Sequence, residues 1–552
     1  MDIEKRIREI AFELFSSLKE EKPSFFDKSG WKGKVVEWSL RDEAFKVQLL
    51  RFIDVLPALK RDELALRVFR EYLDETANTP SFLGQGAEAF ARMPAWIAAP
   101  LIRTSVRSLA RQFIAGADPK DAWASLDALR KEGAALSVDL LGEAVVSDAE
   151  ALRYAERYGE LLDFLAPRFP ALENTRTNRG RLDVSLKVSS FYSQMEPLNR
   201  EGSIKKTTRA LLPVLEKAQE LGVSITFDME QYYFKDLIIA IFKNVLSGTR
   251  NFPLAGIALQ AYLRDTREDV MALVDWAKEN GRRITIRLVK GAYWDHETVV
   301  NRQKGWPVPV FLNKEETDRN YEALTEILLK NAEFVHPAIA THNIRSISNA
   351  LAVAGELSLS PDDFEFQALY GMADPVRRAL KKMSVQNPVR VYCPVGELIP
   401  GMAYLVRRIL ENTSNESFFR KSFAEEVPFE ELMRPPKPPS KKEEALREDF
   451  RNEAVVDFSR PENRGKIKEA LDDIKKEFGR EYPLFLGEQE VFTEKKTLSI
   501  NPARPGEVIG RVSSASKEEA EKAVEEAKKA QRLWGKTSAD ERAKHLFRAA
   551  AE

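Results

Sequence analysis

Eight short apolar runs recur through the middle of this chain. They are LSVDLLGE (136–143), DVSLKVSS (183–190), SITFDME (224–230), GIALQAY (256–262), ITIRLVKG (284–291), HPAIATHN (336–343), FEFQALYG (364–371) and VRVYCPVG (389–396). Longer amphipathic stretches such as KKTTRALLPVLEKAQELG and REDVMALVDWAKENG separate them. A parallel strand covered on both faces reads as an apolar run, and a helix carries the crossover to the next strand. Eight such units within about 260 residues match the size and strand count of a (β/α)8 TIM barrel. A doubly wound sheet is the alternative, but no glycine-rich dinucleotide fingerprint follows any run. The fold class expected is therefore α/β.

Flanking segments read differently. MDIEKRIREIAFELFSSLKEE, VQLLRFIDVLPALK and LIRTSVRSLARQFIAG have helical apolar spacing, and ETANTPSFLGQG interrupts them. Residues 1–130 are expected to form an N-terminal helical arm or cap, and 131–430 the barrel. MRPPKPPSKKEEALRED packs four prolines among charges, which predicts a stiff linker over 431–447. Beyond it, NPARPGEVIGRVSS (501–514) suggests a turn and strand unit, and KEEAEKAVEEAKKAQRLWG a charged helix. The chain stops at Ala551-Glu552 inside another helical pattern. Residues 448–552 thus read as a truncated C-terminal α/β segment, a second domain only begun.

Composition excludes several classes. With 552 residues the chain exceeds one core, since single cores rarely grow past about 300. Net charge is −1, from 85 basic and 86 acidic residues, so no basic excess advertises nucleic acid. The N-terminus lacks the apolar core of a signal peptide, and no apolar run is long enough to span a membrane. Peripheral membrane contact stays open. The lone cysteine, Cys393, makes neither an intrachain disulfide nor a cysteine-rich metal site. Four histidines without an HExxH pattern give metal catalysis little support.

Each run ends in polar residues: Glu143, Ser189 and Ser190, Asp228 and Glu230, Gln260, Lys290, His342 with Asn343, and Tyr370, with Tyr392 near the end of the last. Strand C-termini line the active-site mouth of a barrel. YLVRRILEN (404–412) follows the eighth run, and helical spacing groups Tyr404, Arg407, Arg408 and Glu411. The pair of arginines is either a solvated face with an ordinary ion pair or a clamp for a small carboxylate. In IRLVKGAYWD (286–295), Arg287 and Lys290 interrupt an apolar run. Buried charges need partners. Those partners are either structural carboxylates or a cofactor that gains negative charge, such as a flavin, with Gly291 and Ala292 permitting close approach. Lys187 and Asp228, on neighbouring runs, read as a structural pair or the floor of a site. A desolvated Lys187 also suits a Schiff-base aldolase. His342 is either structural or a donor to a ring or phosphate. Cys393 reads as core.

Three classes stay open on the residues alone: flavin-dependent dehydrogenation of a small carboxylate-bearing substrate, aldolase or isomerase chemistry, and a non-catalytic barrel scaffold.

SLKVSS, TFDMEQY, GIALQAY, RLVKGAYWD, ATHN, FQALYGM, VRVYCPVG and YLVRRILEN, in this order, resemble the proline dehydrogenase domain of the bifunctional proline utilization A family. The resemblance is strong over roughly 130–425 and weaker in the helices before it. INPARPGEVIGRVSSASKEEAEKAVEEAKKA resembles the start of an aldehyde dehydrogenase domain. The resemblance implies a distorted barrel that oxidises L-proline to Δ1-pyrroline-5-carboxylate with FAD. Arg407 and Arg408 would bind the proline carboxylate. Lys187, Asp228, Tyr293, Tyr392 and Tyr404 would shape the proline site, and Glu143 would help close it. Arg287 would lie near flavin N5. Asp228, Gln260, Val289, Lys290, Gly291, Ala292, Trp294, Thr341, His342, Asn343, Glu411, Ser417 and Phe418 would also belong to the FAD site. Leu312 and Asn313 stand where the family's pattern leads one to expect threonine. The resemblance further implies electron transfer to ubiquinone or menaquinone. That makes the expected location cytoplasmic, peripherally associated with the inner face of the membrane. NAD would serve only the missing remainder of the aldehyde dehydrogenase domain. The full-length protein would then also oxidise glutamate semialdehyde.

Overall fold

All eight apolar runs contain strands, and the strands close on one another. The computed structural model describes residues 2–19, 43–74, 93–142, 145–169, 180–248, 255–397, 401, 404–408, 427–436 and 452–551. Among the described residues, four helices come first: α1 (Ile3–Lys19), α2 (Glu43–Val55), α3 (Asp62–Asp74) and α4 (Ala95–Ala110), with α5 (Pro119–Lys131) leading into the sheet. Then β1 (Ala135–Leu140), α6 (Asp148–Leu165), β2 (Leu182–Leu186), α7 (Arg200–Glu220), β3 (Ser224–Phe227) and α8 (Tyr232–Gly248) follow in strict alternation. The alternation continues through β4 (Ala255–Gln260), α9 (Thr266–Glu279), β5 (Ile284–Val289), the two helices α10 (Trp294–Lys304) and α11 (Lys314–Lys330), and β6 (Val335–Ala340). It ends with α12 (Ile344–Glu356), β7 (Glu365–Leu369), α13 (Ala373–Lys382) and β8 (Val389–Val395). Every neighbouring pair is parallel, and β8 returns to β1 with Val138 opposite Cys393. The barrel is complete.

The strands alternate more than the reading as apolar runs allows. Leu136, Val138 and Leu140 of β1 join the hydrophobic core, whereas Ser137 and Asp139 are buried polar residues. The same period of two gives Asp183 and Ser185, Ser224 and Thr226, Glu365 and Gln367, and Arg390 and Tyr392. Arg287 on β5 hydrogen-bonds side chains on β1, β2 and β7, which only a side chain inside the closed barrel can reach. The lumen is therefore polar and the apolar set faces the helices. Ala258 and Ala338 flank Arg287 in register and leave its long side chain room.

Local signals set the helix starts near the strand C-termini. Asn343 caps α12 by accepting the Ser346 N–H, and Asn313 caps α11 by accepting the Glu315 N–H at 2.9 Å. Lys187 lies just past the end of β2, not within it, because the chain turns into a 3-10 helix over Val188–Phe191.

In the arm, α1 buries Ile7, Ile10, Ala11, Leu14, Phe15 and Leu18, one helical face. Ile7 and Ile10 pack on Ala352 of α12. Each fully buried large aliphatic side chain contributes about 1.5–3 kcal/mol. Arg345, at the start of α12, staples this contact by bonding Glu4 at 2.8 and 3.0 Å, Glu322 at 2.9 Å and the Met433 carbonyl at 3.0 Å. A short helix, α14 (Phe429–Leu432), precedes Met433. The interruption at 75–86 and most of the linker, from 437, lie outside the described residues.

The chain divides into two units, Met1–Val455 and Val456–Glu552. Within the second, α15 (Pro461–Lys475) precedes β9 (Arg480–Tyr482) and the paired β10 (Leu484–Leu486) and β11 (Gln489–Val491). The stretch 501–514 belongs to the hairpin of β12 (Lys496–Asn501) and β13 (Arg504–Ser513), with β9 parallel to β13. A Ser516–Glu519 capping box starts α16 (Lys517–Trp534), and α17 (Ala539–Ala551) ends the unit.

Candidate active site

A guanidinium occupies the barrel lumen. Arg287 is 3% exposed. Its Nε donates to Gln367 Oε1 at 2.7 Å, Nη1 to Ser185 Oγ at 2.9 Å and Asp228 Oδ1 at 2.7 Å, and Nη2 to Ser137 Oγ at 2.9 Å and Asp183 Oδ2 at 3.3 Å. Guanidinium has five N–H groups, so these acceptors match its whole donor set. Asp183, fully buried, also takes the hydroxyls of Ser137 and Thr226. Gln367 hands the network on to Glu365, which Arg390 grips through Nε and Nη2. The structural-partner reading of Arg287 is thus met in full by the protein. A cofactor would feel this residue as a fixed positive charge and not as a spare hydrogen-bond donor.

Above Arg287 lies a second buried cluster. Asp228 accepts the Tyr392 hydroxyl at 2.8 Å on its other oxygen, with Lys187 Nζ at 3.7 Å. Lys187 is closer to Asp139, at 2.6 Å. The pairing expected from sequence is present, but Asp139 is the nearer partner. Burial works to lower the Lys187 pKa, yet Asp139 and Asp228 outweigh it and hold the ammonium well above its ordinary value. Burial raises the Asp228 carboxyl, with Lys187 and Arg287 pulling it back only in part. Glu230, 4% exposed, accepts both the N–H and the hydroxyl of Ser189, and burial raises its pKa as well.

Of the two arginines in 404–408, Arg407 meets this cluster through Tyr293. The Arg407 guanidinium carbon lies 5.1 Å from the Tyr293 ring centre, and that of Arg408 lies 5.2 Å from the Tyr404 ring. Burial raises the Tyr293 pKa; Arg407 and Lys187 pull it down, and Glu230 and Asp228 push it up. Tyr293 therefore stands within electrostatic reach of both the arginine helix and the lumen carboxylates. Arg408 is buried and Arg407 half-buried, so the reading of a simple solvated face does not hold for Arg408.

The remaining expected residues that the structure describes ring the same end of the barrel. Gln260 ends β4, is buried, and donates to the Glu230 carbonyl; its Oε1 has no partner among the described residues. Val289 ends β5, and Gly291, Ala292 and Trp294 are exposed just beyond. Gly291 has φ 138°, and a Cβ there would lie 2.5 Å from the Tyr262 ring, so only glycine fits. Trp294 anchors its indole N–H on the Phe311 carbonyl at 2.8 Å. Lys290 pairs with Asp318, which Lys314 shares, leaving two ammonium groups on one carboxylate. His342 Nε2 accepts the Leu369 N–H at 3.0 Å, which puts the proton of a neutral ring on Nδ1. Thr341 Oγ1 accepts the Asn343 N–H at 3.1 Å. Cys393 is fully buried and burial pushes its thiol pKa up, as befits a core residue. Glu143, Glu411, Ser417 and Phe418 lie outside the described residues.

Asp139, Asp183, Ser137, Ser185 and Gln367 were not singled out by the sequence. Their signal was present: polar residues two apart inside apolar runs, the same anomaly that marks Arg287.

Comparison with known proteins points to one family. A family model described as proline dehydrogenase matches residues 122–421. Models for the proline utilization A N-terminal domain and the aldehyde dehydrogenase family match 4–113 and 491–552. The bifunctional protein PutA of Escherichia coli strain K12 is 29% identical over 486 residues, covering 82% of this chain and 36% of that protein. The chain thus spans about a third of such bifunctional relatives. A proline dehydrogenase of Deinococcus radiodurans is 30% identical over 320 residues, 58% of this chain and 91% of that one. Among solved structures, proline utilization A from Bdellovibrio bacteriovorus, inactivated by N-propargylglycine, matches with TM-score 0.88 at 35% identity. That match covers 98% of this chain and 56% of the other.

Proposed function

We propose that this chain, which belongs to the proline dehydrogenase family, oxidises L-proline to Δ1-pyrroline-5-carboxylate in its barrel with FAD as cofactor. The observation that carries the reading is Tyr293, which joins Arg407 to the buried Lys187, Asp228 and Glu230 group. That arrangement has cations at the rim for a carboxylate and carboxylates below for an amine, the two charged ends of an amino acid.

The residues present fit FAD. The orphaned Gln260 Oε1 suits the N–H of a flavin pyrimidine ring. The excess ammonium at Lys290 and Lys314 suits a pyrophosphate, and the side-chain-free Gly291 backbone permits close approach. Gln260, Lys290, Gly291, Ala292, Trp294 and His342 would hold the cofactor, with Val289, Thr341 and Asn343 beside it. FAD, when bound, supplies a two-electron acceptor for the hydride that leaves proline C5.

The protein's own groups do the rest. Arg407 and Arg408 bind the substrate carboxylate and orient the ring. Tyr293 and Tyr404 back these guanidiniums with ring faces. Forming the C5=N bond requires the nitrogen to shed a proton. Asp228 and Glu230, whose proton affinity burial raises, are the carboxyl groups suited to hold it. Arg287 keeps positive charge in the lumen at no reorganisation cost, because its donors are already engaged.

A membrane quinone, met through transient peripheral contact, would be the final acceptor of the electrons. Among the described residues no helix is long and apolar enough to cross a membrane. The longer protein to which 491–552 would belong also oxidises glutamate semialdehyde with NAD.

The test is the visible spectrum of the purified, FAD-reconstituted chain before and after L-proline. A flavin band that bleaches with L-proline and not with other amino acids supports the proposal. Failure to bind flavin, or a band indifferent to proline, overturns it.

A further inference from the structure

We propose that Asp139 is a positioning residue of the barrel site, whose carboxylate fixes the direction of the Lys187 ammonium and supplies its counter-charge. This deepens the reading of the barrel as a proline-oxidising site and rests on it.

The geometry is specific. Asp139 lies next to last in β1 and is 1% exposed. Its Oδ1 receives Lys187 Nζ at 2.6 Å, while Asp228 stands off at 3.7 Å. Asp139 Oδ2 is buried and has no partner among the described residues, so the carboxylate is committed to the lysine by a single oxygen. Lys187 itself sits where β2 gives way to a 3-10 turn, with its backbone N–H on the Tyr158 hydroxyl at 3.4 Å. Its long side chain starts from a turn and needs a second anchor to point one way. Asp228 is the weaker anchor because its nearer oxygen stands 3.7 Å from Nζ, beyond hydrogen-bond distance, and Arg287 and Tyr392 fix the carboxylate there.

The groups facing Lys187 come from several elements. Asp139 reaches it from β1, Asp228 and Glu230 from just past β3, Tyr154 and Tyr158 from α6, and Tyr293 from just past β5. Burial raises the pKa of all three tyrosines, so they face the lysine uncharged at neutral pH. Burial also raises those of Asp228 and Glu230. Burial works to discharge Lys187, and Asp139 is the strongest charge opposing it. Without Asp139 the lysine loses its proton at lower pH.

The experiment is a double-mutant cycle in the full chain: Asp139→Asn, Lys187→Met and both together. In FAD-loaded protein, Asp139→Asn is expected to lower kcat/KM for L-proline about tenfold at mildly alkaline pH and to move the alkaline limb of its pH profile downward. With Lys187→Met in place, the same change has no further effect. Thermal unfolding gives a readout free of substrate. Asp139→Asn and Lys187→Met each lower the unfolding temperature by stranding a buried group, and the double variant regains part of the loss. An unmoved pH profile, or strictly additive effects in both readouts, overturns the proposal. If wild-type flavin ignores proline, the functional reading fails instead, and the unfolding cycle still decides whether Asp139 and Lys187 are coupled.

Discussion

Arg287 and Asp228 share a 2.7 Å hydrogen bond across the barrel lumen, from within β5 to the residue just past β3. The family resemblance implies a place beside a flavin for Arg287, and for Asp228 a place in both the substrate floor and the FAD site. In the folded chain they form one charge network, because Asp228 also takes the Tyr392 hydroxyl.

That network makes Arg287 irreplaceable by lysine. An ammonium has three donors and cannot serve acceptors spread over strands β1, β2 and β7 and the end of β3. Arg287→Lys is expected to cost about 3–5 kcal/mol, the usual result of breaking a buried charge network. Differential scanning calorimetry checks it; an unchanged unfolding temperature would falsify the claim.

For the arginine pair, Arg407→Ala and Arg408→Ala should each raise the apparent KM for proline about 10–100-fold, the loss of a charge-assisted hydrogen bond, with FAD content retained. Their stability effects should differ. Arg408 is buried against Tyr404, so its loss also lowers the unfolding temperature, whereas half-buried Arg407 leaves it nearly unchanged. Steady-state kinetics and melting curves on both variants test this; unaltered proline kinetics in both defeats the clamp.

Gly291→Ala places a methyl group on the Tyr262 ring at a φ of 138°. The expected cost is about 1–3 kcal/mol, together with loss of flavin per chain measured by absorbance. Gly133→Ala is the control, because φ there is +88° but nothing lies within 4 Å of the added atom. It should strain the backbone and leave flavin content intact.

The Lys290–Asp318–Lys314 group predicts a pH signature. Burial raises the Asp318 carboxyl, but the two lysines outweigh it and leave its pKa below the ordinary value. A depressed carboxyl pKa stabilises the fold above the unfolded value of about 3.9, and that contribution fades as pH falls through the folded value. The difference in unfolding temperature between wild type and Asp318→Asn should therefore shrink below about pH 4. Burial lowers the Lys290 pKa more than Asp318 restores it, so the charged lysine is a net cost to the folded state at neutral pH. Lys290→Met should thus cost less stability than Asp318→Asn at pH 7, while weakening flavin binding. The reverse order would sink this account.

Much of the site was legible because its residues break a pattern. Arg287, Lys290 and Lys187 stand out as charges in or beside apolar runs, and Arg407-Arg408 as adjacent charges within a helix of Leu and Val. Asp139 and Asp183 break the same pattern yet passed unnoticed. An acidic residue inside a run, as Asp139 is, or opening one, as Asp183 does, resembles an ordinary interruption or boundary until a cation is known to face it.

Periodicity, helix caps and strand count are local properties, so the sequence alone determined that eight strand–helix units exist and roughly where each lies, though most strands stop a few residues before the polar residues that end each run. Barrel closure decided the rest. It brings β1 beside β8 and turns every second strand residue inward. That gathers Ser137, Asp183, Ser185, Asp228, Arg287 and Gln367, scattered over more than half of the barrel's length in sequence, around one buried guanidinium. Pairing inside a low-dielectric lumen depends on ångström distances between side chains remote in sequence. Only the tertiary structure therefore settles that Lys187 lies closer to Asp139 than to Asp228.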